Sequence, residues 1–132
     1  MSSIQRILVP VDFSDASRAA LRQAATLAKA LPARIDVLHI WEPAPNVTPV
    51  QLGWMAGDAN AFCASLEADL RERVQAMLAD ELGDAAESAE VLVEAGYVAH
   101  SILERLESQD YRLVIMGTHG RRGLSHLVLG SV

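Results

Sequence analysis

A single cysteine, Cys63, in 132 residues excludes an intrachain disulfide. A chain of this length does not need one, because a domain of this size buries roughly two-thirds of its unfolded surface. It is long enough for one compact domain over residues 1–132 and too short for two. An unpaired thiol suits a reducing compartment, so a cytoplasmic location is expected. Long apolar runs are also missing. Leu113–Met116 is far below the ~20 residues of a membrane-spanning helix. The opening Met1–Arg6 has no basic-then-apolar leader pattern, and no membrane association is expected. Lysine is nearly absent. Lys29, the only one, falls within a helical pattern, so there is no G-x-x-x-x-G-K-[ST] phosphate loop. There is no G-x-G-x-x-G after the first apolar run either, which excludes a standard dinucleotide fingerprint.

What is present is an ordinary globular balance, 51% hydrophobic and 21% charged, which argues against disorder. The net charge of −6 is unevenly placed. All seventeen acidic side chains and eight of the eleven basic ones lie in residues 1–110, a net −9. Arg112, Arg121 and Arg122, with no acid among them, make residues 111–132 a net +3. An acidic body gains nothing from the phosphate ladder of nucleic acid, so no nucleic-acid partner is expected. A local basic end suits a small anion instead, although three arginines that merely solvate a terminus fit the charge equally well.

Periodicity gives the order β-α-β-α-β-α-β followed by a glycine-rich segment. Ile7–Asp12 is rich in β-branched residues and reads as a buried strand, with Pro10 expected to distort its end. Ser14 or Asp15 can cap a helix whose apolar positions run from Ala16 to Leu31, with Pro32 as the stop. Ile35–Trp41 is a second strand. Residues 42–57 carry three prolines and two glycines and form a long loop of the mobile or functional kind. A helix from about Asp58 to Leu82 places Phe62, Leu66, Leu70, Val74, Met77 and Leu78 on one stripe and ends near Gly83. Ala89–Val93 is a third strand, Val98–Leu106 a short helix, and Asp110–Met116 a fourth strand. Strands alternating with helices predict a parallel α/β sheet covered on both faces.

Ligands of such sheets lie beyond the carboxyl ends of the strands, where the winding reverses. Asp12 leaves the first strand there, and Gly117–Gly120 leaves the fourth. Glycines permit positive φ and let backbone N–H groups converge on an anion. Gly130–Ser131 could open a further helix whose N-terminus favours phosphate.

Gly117-x2-Gly120-x9-Gly130-Ser131 matches the G-x2-G-x9-G-[ST] signature of ATP-binding universal stress proteins. Ile7–Ser14, His39–Ile40, Gly96 and residues 110–123 resemble the same family, and the likeness spans essentially the whole chain. The resemblance implies a single doubly wound parallel sheet with helices on both faces, of the adenine nucleotide α-hydrolase-like kind, with strand order 3-2-1-4-5. The family's last helix and fifth strand lie beyond Val132, where this sequence stops. Carried over residue by residue, the adenine and ribose contacts fall on Pro10, Val11, Asp12 and Ile40. The phosphate loop falls on Met116, Gly117, His119, Gly120, Gly130, Ser131 and Val132, with Arg121 beside it. The resemblance further implies ATP with Mg2+ as ligand, a homodimer, and a regulatory role in stress response with at most slow hydrolysis or self-phosphorylation. An interaction domain that has lost its nucleotide, and a hydrolase or transferase on a related fold, remain the competing roles.

Asp12 as a ribose acceptor competes with Asp12 as a helix cap. His39, His100 and His126 read as unrelated core or surface positions, since no pair has metal-ligand spacing. A Ser125–His119–Asp12 triad is disfavoured, because Gly123–Leu127 is not G-x-S-x-G. Cys63 and the Phe62–Leu78 stripe read as packing, and Trp41 and Trp54 carry no assigned role.

Overall fold

The computed structural model describes residues 5–42 and 59–117 of the chain. The loop expected over 42–57, apart from Glu42, and the glycine-rich stretch from Thr118 to Val132 lie outside the described residues.

Four strands, β1 (Gln5–Pro10), β2 (Ala33–Trp41), β3 (Glu90–Ala95) and β4 (Leu113–Val114), form one parallel sheet in the order β3-β2-β1-β4. Among the described residues three helices connect them: α1 (Asp15–Ala30), α2 (Ala59–Leu82) and α3 (Val98–Ser108). A 3-10 turn, Gly83–Ser88, follows α2, with Gly83 at φ +58 where the helix reverses. The order agrees with the one implied by the resemblance as far as β4.

Side chains alternate between the two faces of a strand, and the two cores follow that alternation. Ile7 and Val9 of β1, with Val11 just past its end, meet Ile35 and Val37 of β2 beneath α1 and α2, which contribute Ala20, Leu21, Ala24, Val74, Met77 and Leu78. Leu8, Leu38 and Ile40 face the other way and pack under Ile102 of α3. Leu8, Leu21 and Leu38 are wholly buried; each contributes on the order of 1.5–3 kcal/mol relative to exposure. The small Ala20 and Ala24 let α1 lie close on the sheet, as the alanine pattern predicts. Ser14 is the cap of α1, its hydroxyl accepting from the Ser17 N–H at 3.2 Å. The stripe of α2 is buried only in its second half, from Leu70 to Leu78, while Phe62 and Leu66 stay partly exposed.

Two strand expectations need correction, and one residue explains both. β1 shows no distortion at Pro10, which pairs in register with Leu38. Odd-numbered residues of β1 turn their backbone groups toward β2, as the Gln5 N–H to Pro32 and Val11 N–H to Leu38 bonds show. Even-numbered residues face β4, where Arg6 and Leu8 carbonyls accept from Arg112 and Ile115. The next rung on that side needs an N–H at position 10, which proline lacks. β4 is accordingly two residues long rather than seven.

At the amino end of the sheet, on the α3 face, sits a wholly buried carboxylate that sequence reasoning did not single out. Asp36 Oδ2 accepts from Arg6 at 2.6 Å and from the Tyr111 hydroxyl at 2.7 Å, and the Arg6 guanidinium lies over the Tyr111 ring at 4.6 Å. Burial, and next the bond to Asp36, push the Tyr111 phenol above its ordinary value. The cluster ties β1, β2 and the segment entering β4 together at one point.

Candidate functional site

The first strand delivers its chain to the carboxyl edge of the sheet at Val11, and the turn that follows is built by one carboxylate. Asp12 Oδ1 accepts from the Ser14 N–H at 2.9 Å and from the Ser17 hydroxyl at 2.9 Å, while Ser17 Oγ accepts from the Asp12 N–H, also at 2.9 Å. A short acid bonded to the amide two residues on is a self-contained turn. The cap itself is Ser14, so the helix-cap alternative for Asp12 does not hold. Asp12 instead orients the turn and stands, partly exposed, at the mouth of a cleft.

That cleft has a volume of about 390 Å³ and lies beyond the ends of β1 and β2, within the size range of small-ligand sites. Pro10, Val11, Asp12 and Ile40 line it, so four of the residues assigned by resemblance come together. Leu38, Leu70 and Val98 add apolar walls, and Phe13, His39, Trp41, Glu42 and Arg73 add groups that sequence reasoning did not place there. The Trp41 indole donates to Glu67 of α2 at 3.1 Å, fastening the end of β2 to that helix.

His39 is buried, as a core histidine should be, yet it also forms part of the cleft lining. Its Nδ1 lies 2.9 Å from the Val11 carbonyl. A carbonyl only accepts, so Nδ1 carries the hydrogen. Burial holds the imidazole below its ordinary 6.5, the Arg73 charge adds to that effect, and the Val11 bond and Asp12 oppose it. The Phe13 ring lies 4.9 Å from the His39 ring, tilted against it, and the Arg73 guanidinium lies over the Phe13 ring at 4.0 Å. His100 sits apart, exposed on α3 beside Glu104.

Met116 and Gly117 follow β4 at this same edge but do not line the cleft. Met116 packs with the Leu8–Ile102 core. Gly117 lies against the first turn of α1: a Cβ there would stand 2.6 Å from the Ala16 Cβ and 2.9 Å from its carbonyl carbon. Positive φ is not the reason for this glycine, since among the described residues only Gly83 and Gly96 adopt it. Close approach to α1 is. Asp12 and Gly117 therefore flank one helix N-terminus, at one end of the molecule. His119, Gly120, Arg121, Gly130, Ser131 and Val132 lie outside the described residues, as do Ser125 and His126.

Among the described residues no three His, Cys, Asp or Glu side chains are grouped to hold a metal ion. No described helix is long and apolar enough to cross a membrane.

An open parallel sheet wound in both directions from β1, with a mixed polar and apolar cleft at its carboxyl edge, defines a doubly wound α/β ligand-binding architecture. The family model for the universal stress protein family matches residues 3–132, and the chain belongs to that family. Universal stress protein YxiE of Bacillus subtilis is 31% identical over 130 residues, covering 96% of this chain and 87% of that protein. Universal stress protein A homolog 1 of Coxiella burnetii is 28% identical, covering 96% and 84%. Among solved structures, universal stress protein UspA from Lactobacillus plantarum superposes with a TM-score of 0.65 at 24% identity, over 99% of this chain and 88% of that one. A universal stress protein in complex with cAMP superposes with a TM-score of 0.58 at 21% identity, over 99% and 86%.

Proposed function

We propose that this chain binds an adenine nucleotide, ATP, across the carboxyl ends of β1 and β4 and acts as a nucleotide-responsive regulatory module in stress response. The observation that carries the reading is the pairing of a locally fixed acid, Asp12, with an apolar cleft of nucleoside size at the switch point of a doubly wound sheet. Leu38, Ile40, Leu70 and Val98 offer surface for a base, and Asp12 offers an acceptor for ribose hydroxyls. Gly117 brings the start of the spaced-glycine segment beside the N-terminus of α1, where a triphosphate would lie along Gly117, His119, Gly120, Arg121, Gly130 and Ser131. A universal stress protein of the same fold is in complex with cAMP, which supports a nucleotide as the class of ligand. Mg2+ would arrive with the phosphates and keep most of its ligands from them and from water, as it commonly does. The reading includes a cytoplasmic, homodimeric protein with at most slow hydrolysis or self-phosphorylation.

Calorimetric titration with ATP, with and without magnesium, tests the reading. Saturable heat is expected. No heat at millimolar nucleotide would leave an interaction domain of the same fold, and release of phosphate at many turnovers per second would make the protein an enzyme.

A further inference from the structure

The described arginines fall into two groups by what they face. Arg6, Arg18, Arg22, Arg34 and Arg105 each stand within salt-bridge distance of a carboxylate. Arg71, Arg73 and Arg112 have no such carboxylate among the described residues; Arg71 donates to the Val91 carbonyl at 2.6 Å, and of the three only Arg73 lines the cleft. It is held instead by stacking on Phe13 at 4.0 Å. A guanidinium held by its face keeps its five N–H donors at the edge, in the plane that forks onto phosphate or carboxylate. Phe13 follows Asp12 directly, and Asp12, Phe13 and Arg73 all line the cleft. Asp12 and Glu42 are the acidic side chains of the described lining, and Arg73 is its one arginine or lysine.

We infer that Arg73, clamped on Phe13, is a ligand-contacting residue that engages the anionic part of the bound nucleotide and so selects nucleotides over nucleosides. This rests on the nucleotide reading above and adds to it a residue on α2, distant in sequence from the glycine segment. The stack is the positioning device: it holds the guanidinium at the cleft with no carboxylate of the described residues within salt-bridge distance. Arg73 is solvent-exposed, so its replacement leaves the core unchanged.

The test is calorimetry of the wild-type chain and of Arg73→Gln, Arg73→Lys and Phe13→Leu against ATP, adenosine and inorganic tripolyphosphate, with the thermal midpoint of each variant as control. Arg73→Gln is expected to weaken ATP and tripolyphosphate by about tenfold or more, the loss of one charge-assisted contact, with adenosine unchanged. Arg73→Lys should recover part of the loss, because a point charge remains but the fork does not. Phe13→Leu, with Arg73 intact, should weaken ATP in the same direction by freeing the guanidinium. Equal weakening of adenosine and ATP, or no change in ATP, would overturn the inference. Wild-type protein that binds tripolyphosphate with Arg73-dependent affinity, yet no ATP, would end the nucleotide reading and leave the anion contact standing. Protein that binds neither would remove both.

Discussion

The two ends of the same strand pair each hold an aspartate, and the pair shows how one residue type is turned to opposite uses. Asp36, at the amino end, has a side chain with no exposure and takes its partners from afar in sequence, Arg6 and Tyr111. Asp12, at the carboxyl end, is partly exposed and takes the Ser14 amide and the Ser17 hydroxyl from its own turn. A carboxylate taken out of water needs charged, hydrogen-bonding partners, and those partners fasten the elements that carry them. A carboxylate oriented by local donors costs little to hold and stays accessible. The first is a lock between strands, the second a presented group.

Substitutions can break this contrast, and the largest effect is expected at the lock. Asp36→Ala should destabilise the fold by about 2–3 kcal/mol, read as a lower midpoint in urea unfolding, because it strands Arg6 and the Tyr111 hydroxyl. An unchanged midpoint would show that the cluster is slack. Gly117→Val should cost roughly 1–3 kcal/mol through overlap with Ala16 and should weaken ATP as well. Retained stability together with lost affinity would point to a purely ligand-facing glycine. Asp12→Asn keeps an oxygen for the Ser14 and Ser17 donors and should leave unfolding nearly unchanged, while ATP affinity falls about tenfold through loss of a charged acceptor. A large loss of stability there would erase the distinction between the two aspartates.

The smallest effect concerns pH. His39 is held below its ordinary 6.5, so the unfolded chain takes up a proton before the folded one does. Its contribution to stability is whole above pH 6.5 and is lost as pH falls below that value toward the folded-state value. Glu81 is held low by its bonds to Arg18 and then Arg22, and its contribution fades in the same direction at more acidic pH. Unfolding midpoints measured between pH 7 and pH 5 should decline, and the decline should flatten in His39→Gln. Arg73→Gln should raise the His39 titration midpoint, followed by imidazole NMR shifts, since a nearby cation is removed.

Much of the scaffold was legible in the sequence because local rules dominate it. The β-branched runs, the alanine face of α1, the serine cap and Gly83 each carry their signal within a few residues. The strand order came through resemblance. What stayed hidden depends on partners brought together by pairing. The Asp36 cluster appears only once Arg6 stands beside Arg34 and Leu8 beside Asp36. Arg73 on an exposed helical position reads as ordinary solvation until the fold places Phe13, sixty positions earlier, beneath it. His39, open in the sequence between core and surface, is buried. Its share in the cleft follows from lying at the end of a strand rather than in its middle.

Pro10 has a consequence beyond the shortness of β4. A strand pair can be unzipped by strain or by chemistry, and here it is chemistry: the ring nitrogen has no hydrogen to give, so the seam between β1 and β4 parts after the Ile115 N–H to Leu8 bond. The seam parts next to the place where Asp12 and Gly117 converge. Pro10→Val would restore the missing donor and invite the two strands to close one step further, narrowing the gap from below.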